Sequence, residues 1–152
     1  MTEALMIAWG KFGGAAAMCL AAVGSGLGAG AGGPAAVGAW KKCYAQGKAA
    51  PFTLITFVGA PLSQTIYGMI LMNKIFAVAQ AYPSAWPLLI AAGVFGGIAM
   101  GVSAWYQGKI GAAGADALGE TGQGFGNYLM ALGVIETVAL FVMVFLLMAV
   151  GK

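Results

Sequence analysis

Seven lysines and four acidic residues are the only charges in 152 residues, and the intervals between them are long and apolar. Residues 12–40, 49–73 and 75–108 contain no charged side chain, and 121–151 contain only Glu136. A helix that crosses a bilayer needs about 20 predominantly apolar residues, so each interval is long enough for one crossing. The pattern predicts four helices over 10–45, 51–79, 85–118 and 124–151. Turn-forming residues mark the breaks: Pro51 opens the second helix, Tyr82-Pro83-Ser84-Ala85-Trp86-Pro87 separates the second from the third, and Gly119-Glu120-Thr121-Gly122-Gln123-Gly124 separates the third from the fourth. Pro61 lies inside the second helix, where it removes a backbone donor. It should bend the chain and leave the Phe57 carbonyl without its usual partner.

The two halves are related. Gly32-Gly33-Pro34-Ala35-Ala36-Val37-Gly38-Ala39 overlays Gly108-Lys109-Ile110-Gly111-Ala112-Ala113-Gly114-Ala115, and Gln64-Thr65 overlays Glu136-Thr137. The chain therefore reads as two tandem hairpins, 10–79 and 85–151, within a single membrane domain over 1–152. With two spans in each repeat, the halves share one orientation and are parallel repeats. Both polar loops then face the same side. Lys41, Lys42, Lys48 and Lys109, taken as the end of the third helix, stand against Lys11, Lys74 and Lys152, a four-to-three count in favour of cytoplasmic loops.

Composition narrows the functional classes. Only 7% of residues are charged, against about 25% in soluble domains, and 61% are hydrophobic. A soluble domain cannot cover its surface with so few polar groups. The 26 glycines follow no Gly-X-Y period, which excludes a collagen-like chain, and the apolar segments between them exclude disorder. The first apolar interval is too long for a removable signal peptide and lacks its cleavage pattern. With no histidine, and with Cys19 and Cys43 far apart, ligands for haem, iron–sulfur or transition-metal sites are lacking. Cys19 is expected to pack as a small apolar residue. The net charge of +3 comes from lysines that can snorkel towards headgroups, and no solvated basic patch points to nucleic acid.

Glycines are concentrated in the first and third helices. Gly24, Gly28 and Gly32 recur every fourth residue, flanked by Ala17, Ala21, Ser25, Ala29 and Gly33, and Gly93, Gly97 and Gly101 do the same in the third. Such small-residue faces let backbones approach closely. Helices two and four carry the bulky apolar residues suited to lipid, so the expectation is one and three crowded inside, two and four outside. Gly28-x-Gly30-x-x-Gly33 matches a dinucleotide-binding motif only by chance, because it follows no strand and no acid lies about 20 residues on.

One carboxylate dominates the polar chemistry. Glu136 lies near the centre of the last span, where a charge costs about 2.5–3.5 kcal/mol on insertion scales, and such residues mark ion or proton pathways. Ala60, Ser63, Gln64 and Tyr67 fall within one 100° arc of the second helix, and Gln107 adds an amide at comparable depth. Amide oxygens, a hydroxyl and one carboxylate form an oxygen-only, singly negative set, matched to a hard monovalent cation better than to Ca²⁺ or Mg²⁺. Na⁺ would leave the set neutral. Tyr67 could donate to the carboxylate and hold its orientation. Taken singly, each glutamine also fits ordinary interhelical amide bonding.

The tandem hairpins, the glycine-rich first helix, Pro61-Leu62-Ser63-Gln64-Thr65-Ile66-Tyr67-Gly68, Tyr106-Gln107-Gly108-Lys109 with Ala112-Ala113-Gly114, and Ile135-Glu136-Thr137 together resemble the rotor-ring proteolipid (K, or c-type, subunit) of V-type ATPases. The resemblance covers nearly the whole chain and is strongest to the sodium-translocating bacterial branch, with Ser63 in place of that branch's Thr and Ile135 in place of its Val. It implies Na⁺ coordination by the Ser63 hydroxyl, the Gln64 and Gln107 amide oxygens, the Glu136 carboxylate and the Ala60 backbone carbonyl, with Tyr67 bonding Glu136. It further implies a homo-oligomeric rotor ring in a prokaryotic cell membrane, a stator subunit with an essential arginine, a central-stalk subunit of the ATPase head, and no nucleotide chemistry in the proteolipid itself. Gln64 stands where a second acid could be, so each protomer would carry one ion for four helices.

Three alternatives remain at this point. A proton-translocating ring would use the same Glu136. A small proton-coupled antiporter resembles a shorter chain with its acid in the first helix, where this chain has none in the membrane interval. A purely structural four-span protein would not need Gln64, Gln107 and Glu136 at one depth.

Overall fold

The computed structural model describes residues 1–151 and is all-helical. Four helices are long and apolar enough to cross a membrane: α1 (Glu3–Ala45), α2 (Phe52–Ala81), α3 (Pro83–Thr121) and α4 (Phe125–Ala149). The expected boundaries hold to within a few residues except at the start of α1, which begins at Glu3 rather than near residue 10. Glu3 sits in its first turn, where a negative charge complements the exposed N–H groups of the helix end.

Helix length sets the shape. At 1.5 Å per residue, the 43 residues of α1 extend about 65 Å, far beyond a hydrocarbon core of about 30 Å. The 25 residues of α4 reach only about 37 Å. The charged ends of α1 and α3 therefore project past the membrane, where Lys42 pairs with Glu120 and the Cys43 thiol donates to the Gly119 carbonyl at 3.5 Å. Trp40 Nε1 donates to Pro51 O at 2.8 Å and ties the first loop to α1. Gly122, at φ 67°, ends α3, and Gly124, at φ 85°, starts α4, left-handed conformations that glycine adopts without strain.

Lys109 corrects the charge count. α3 continues twelve residues past it to Thr121, so Lys109 lies inside the helix rather than at its end. Its ammonium sits 4.2 Å from the Trp105 ring centroid and 5.0 Å from that of Tyr106, on an exposed face.

The closest packing is between α1 and α3, as the glycine pattern predicts. A Cβ on Gly24 would overlap the Gly101 carbonyl, one on Gly93 the Gly13 carbonyl, and one on Gly108 the Gly28 carbonyl. Only hydrogen fits, and the backbones meet directly. Helix α4 is the least enclosed, burying only Leu132 and Ala139, while Met130, Val134, Phe141, Phe145 and Met148 face outward. A protein in water could not expose such a surface, whereas lipid accepts it. Cys19, expected among the packed small residues, is instead exposed on α1; Cys43 is the buried cysteine.

Pro61 interrupts the regular helix. Residues 60–62 form a 3₁₀ turn within α2, and the Phe57 carbonyl is turned towards Gly32 and Gly111, the two glycines against which a Cβ would meet it at 2.8 and 2.6 Å.

Candidate ion-binding site

The 3₁₀ turn ends at Leu62, and the helix resumes with Ser63-Gln64, so the polar residues of α2 follow directly on the break. Gln64 is fully buried, as is Gln107 of α3. Tyr67, one turn beyond Ser63, and Glu136 of α4 are half-buried at the outer edge. All six predicted site residues converge in one region of the fold, joined in a chain of hydrogen bonds.

The orientation of that chain follows from its anchor. Gln107 Nε2 lies 3.1 Å from the Leu132 carbonyl, which can only accept, and 3.3 Å from Glu136 Oε2. With its nitrogen so placed, Gln107 Oε1 points the other way and accepts from Gln64 Nε2 at 2.8 Å. Gln64 Oε1 then faces the Ser63 hydroxyl at 3.1 Å. Ser63 Oγ is also 3.1 Å from the Ala60 carbonyl, so its single proton has two acceptors in reach. On the outer side the Tyr67 phenol donates to Glu136 Oε1 at 2.6 Å. Each carboxylate oxygen thus faces a donor.

No lysine among the described residues neutralises that carboxylate. Among the described residues the one ion pair is Lys42 with Glu120, at the projecting end. Lys109, on the same helix as Gln107 and two residues on, is turned to the exposed face and held by its aromatic neighbours. An ionised Glu136 at this depth thus calls for a cation from outside the chain, and every atom able to ligate one here is an oxygen.

One member of the network was not anticipated from the sequence. Ser103, buried on α3 one turn before Gln107, donates to the Ile135 carbonyl of α4 at 2.7 Å. Its signal was present: a hydroxyl four residues before Gln107 shares its helix face. Thr137, beside Glu136, contributes nothing to the network; it is exposed and bonds its own helix at Val134 O, 2.7 Å away.

Residues 90–149 match the family model of the ATP synthase C subunit. The matched stretch includes most of α3 and all of α4, the helices that carry Ser103, Gln107 and Glu136. No curated protein matches the chain. The matched stretch, 60 of the 152 residues, is therefore similar to the membrane proteolipid of a rotary ATP synthase, and the four helices long and apolar enough to cross a bilayer support an integral, multi-pass membrane protein. Members of that family form oligomeric rings that work with the a subunit.

Proposed function

We propose that this chain is the K-type proteolipid of a V-type rotary ATPase and carries Na⁺ across the membrane as its ring turns. The observation that carries the reading is the half-buried Glu136 carboxylate, bonded by Tyr67 and Gln107, lacking a cationic partner among the described residues, and adjoining the buried oxygens of Gln64 and Gln107. In this reading Glu136, Gln107, Gln64, Ser63 and the Ala60 carbonyl ligate the ion, and Tyr67 orients the carboxylate.

The electrostatics give the working cycle. One Na⁺ against one carboxylate makes a neutral site that can pass through lipid. Emptied, the site is charged and is stable only near water or the stator's arginine. Moving one charge across 100 mV takes about 2.3 kcal/mol, so several ions move per ATP. The partners are further copies of this chain in a ring, the stator, the central stalk of the ATPase head and the bilayer. The setting is a prokaryotic cell membrane with both polar loops cytoplasmic, where the projecting ends of α1 and α3 meet the stalk.

Carbodiimide labelling of Glu136 in membranes, with and without Na⁺ across pH, tests the reading, because the reagent needs a protonated, accessible carboxyl. Protection by Na⁺ that weakens as pH falls is the expected result. Labelling indifferent to Na⁺ would move the assignment to a proton rotor, and no labelling at any pH would make Glu136 a structural acid.

A further inference from the structure

Helix α4 carries the key carboxylate yet is the span least held by packing. Only Leu132 and Ala139 are buried along its 25 residues, Leu129, Val142, Met143, Leu146 and Leu147 are partly buried against the core, and the opposite face presents bulky side chains to lipid. Apolar contact with lipid resists neither sliding nor rotation of a helix, so on a span this thinly packed polar contacts add directional control over where Glu136 points.

Two such contacts reach the backbone. Ser103 Oγ donates to the Ile135 carbonyl at 2.7 Å, and Gln107 Nε2 reaches the Leu132 carbonyl at 3.1 Å. Ser103 and Gln107 are one turn apart on α3, and the carbonyls they grip lie one and four residues before Glu136. The two grips differ in what they depend on. Gln107 shares its nitrogen with Glu136 Oε2 and its oxygen with Gln64, so any change at the carboxylate disturbs its hold. Ser103 bonds nothing else in the network, so its hold does not run through the carboxylate.

We infer that Ser103 is a positioning residue for Glu136: it pins the backbone of α4 so that the carboxylate is presented to Tyr67 and Gln107, and so that release proceeds by side-chain motion without rotation of the helix. The inference rests on Glu136 being the ion-exchanging group proposed above. Ser103 hydrogen-bonds neither the ion ligands nor the carboxylate, and it acts through the backbone of its neighbour.

The test compares wild type, Ser103→Ala and Ser103→Thr in membranes containing the whole complex. The readouts are the Na⁺ concentration that half-protects Glu136 from carbodiimide and the Na⁺ dependence of ATP hydrolysis. Ser103→Ala should need roughly tenfold more Na⁺, the loss expected for one buried hydrogen bond, with the maximal rate little changed. Ser103→Thr keeps the hydroxyl and should restore the wild-type midpoint. An unchanged midpoint in Ser103→Ala, or an equal shift in both variants, would overturn the inference. If Ser103→Ala fails to assemble, Ser103→Cys, which keeps the volume and only a weak donor, is judged by the same criteria. If Na⁺ does not protect even the wild type, the sodium reading falls by itself. Positioning is then judged from the pH of half-labelling, which Ser103→Ala should shift and Ser103→Thr should restore.

Discussion

The Tyr67 phenol donates to Glu136 Oε1 across 2.6 Å, joining residues 69 positions apart in the chain. Hydrogen bonds to charged groups contribute about 1.5–3 kcal/mol, and here the bond also fixes the direction of a carboxylate whose other oxygen is held by Gln107. Tyr67→Phe keeps the ring and removes only this donor. It should raise the Na⁺ concentration for half-protection of Glu136 by roughly tenfold or more, since about 1.4 kcal/mol is a factor of ten. Carbodiimide protection curves in membranes measure this directly.

Glu136→Gln retains the side-chain volume and abolishes the charge. Ion transport by the complex should be lost and carbodiimide incorporation should vanish, while the ring still assembles, because α4 keeps its backbone bond to Ser103. Transport in inverted vesicles and ring recovery on gels separate the two effects.

The two buried glutamines are unequal. Gln107 bonds Gln64, Leu132 and Glu136, whereas Gln64 bonds Gln107 and faces Ser63. Gln107→Leu strands the Gln64 nitrogen and frees one carboxylate oxygen, and each buried group left unpaired costs about 1–3 kcal/mol. Gln107→Leu should therefore impair Na⁺ protection more than Gln64→Leu does, and side-by-side titrations of the two variants test the order.

Gly24 and Gly30 lie six residues apart on α1 with opposite constraints. A Cβ on Gly24 would overlap the Gly101 backbone, which has no freedom to move aside; a Cβ on Gly30 meets nothing within 4 Å. Gly24→Ala should force α1 and α3 apart and lower the temperature at which the protomer loses its helical signal. Gly30→Ala should leave that temperature unchanged or raise it, since alanine gains up to about 1 kcal/mol over glycine in a helix.

Ser25 gives the converse of Ser103. Its hydroxyl is buried in α1 with no hydrogen-bond partner among the described residues. Ser25→Ala removes an uncompensated polar atom and should leave thermal stability equal or slightly higher, with Na⁺ protection of Glu136 unchanged. The same substitution at Ser103 should weaken Na⁺ binding, and comparing the two separates a hydroxyl that bonds from one that does not.

Much of this was legible in the chain. Charge-free intervals marked four spans because a bilayer admits only about 20 apolar residues per crossing, and the repeat of Gly32–Ala39 at Gly108–Ala115 is the ground for expecting two tandem hairpins. Every glycine named on the paired faces, Gly24 and Gly101 among them, met a backbone or a side chain of another helix, except Gly33, which only grazes Val58 at 3.9 Å. The clustering of Ser63, Gln64 and Tyr67 followed from helical angle alone, and the depth of Gln107 and Glu136 followed from counting residues.

What helical periodicity could not supply was anything set by how one helix turns against another. The sequence determined which residue types share a depth, because rise per residue is a property of a single helix. Only the tertiary structure decided that Gln107 holds its nitrogen to Leu132 and Glu136 and its oxygen to Gln64, because an amide's orientation is fixed by its partners. It also decided that Lys109 lies within α3, turned away from the site, that Cys19 is exposed, and that Ser103 grips Ile135. These depend on azimuth, and azimuth is set by packing between helices that are distant in the chain.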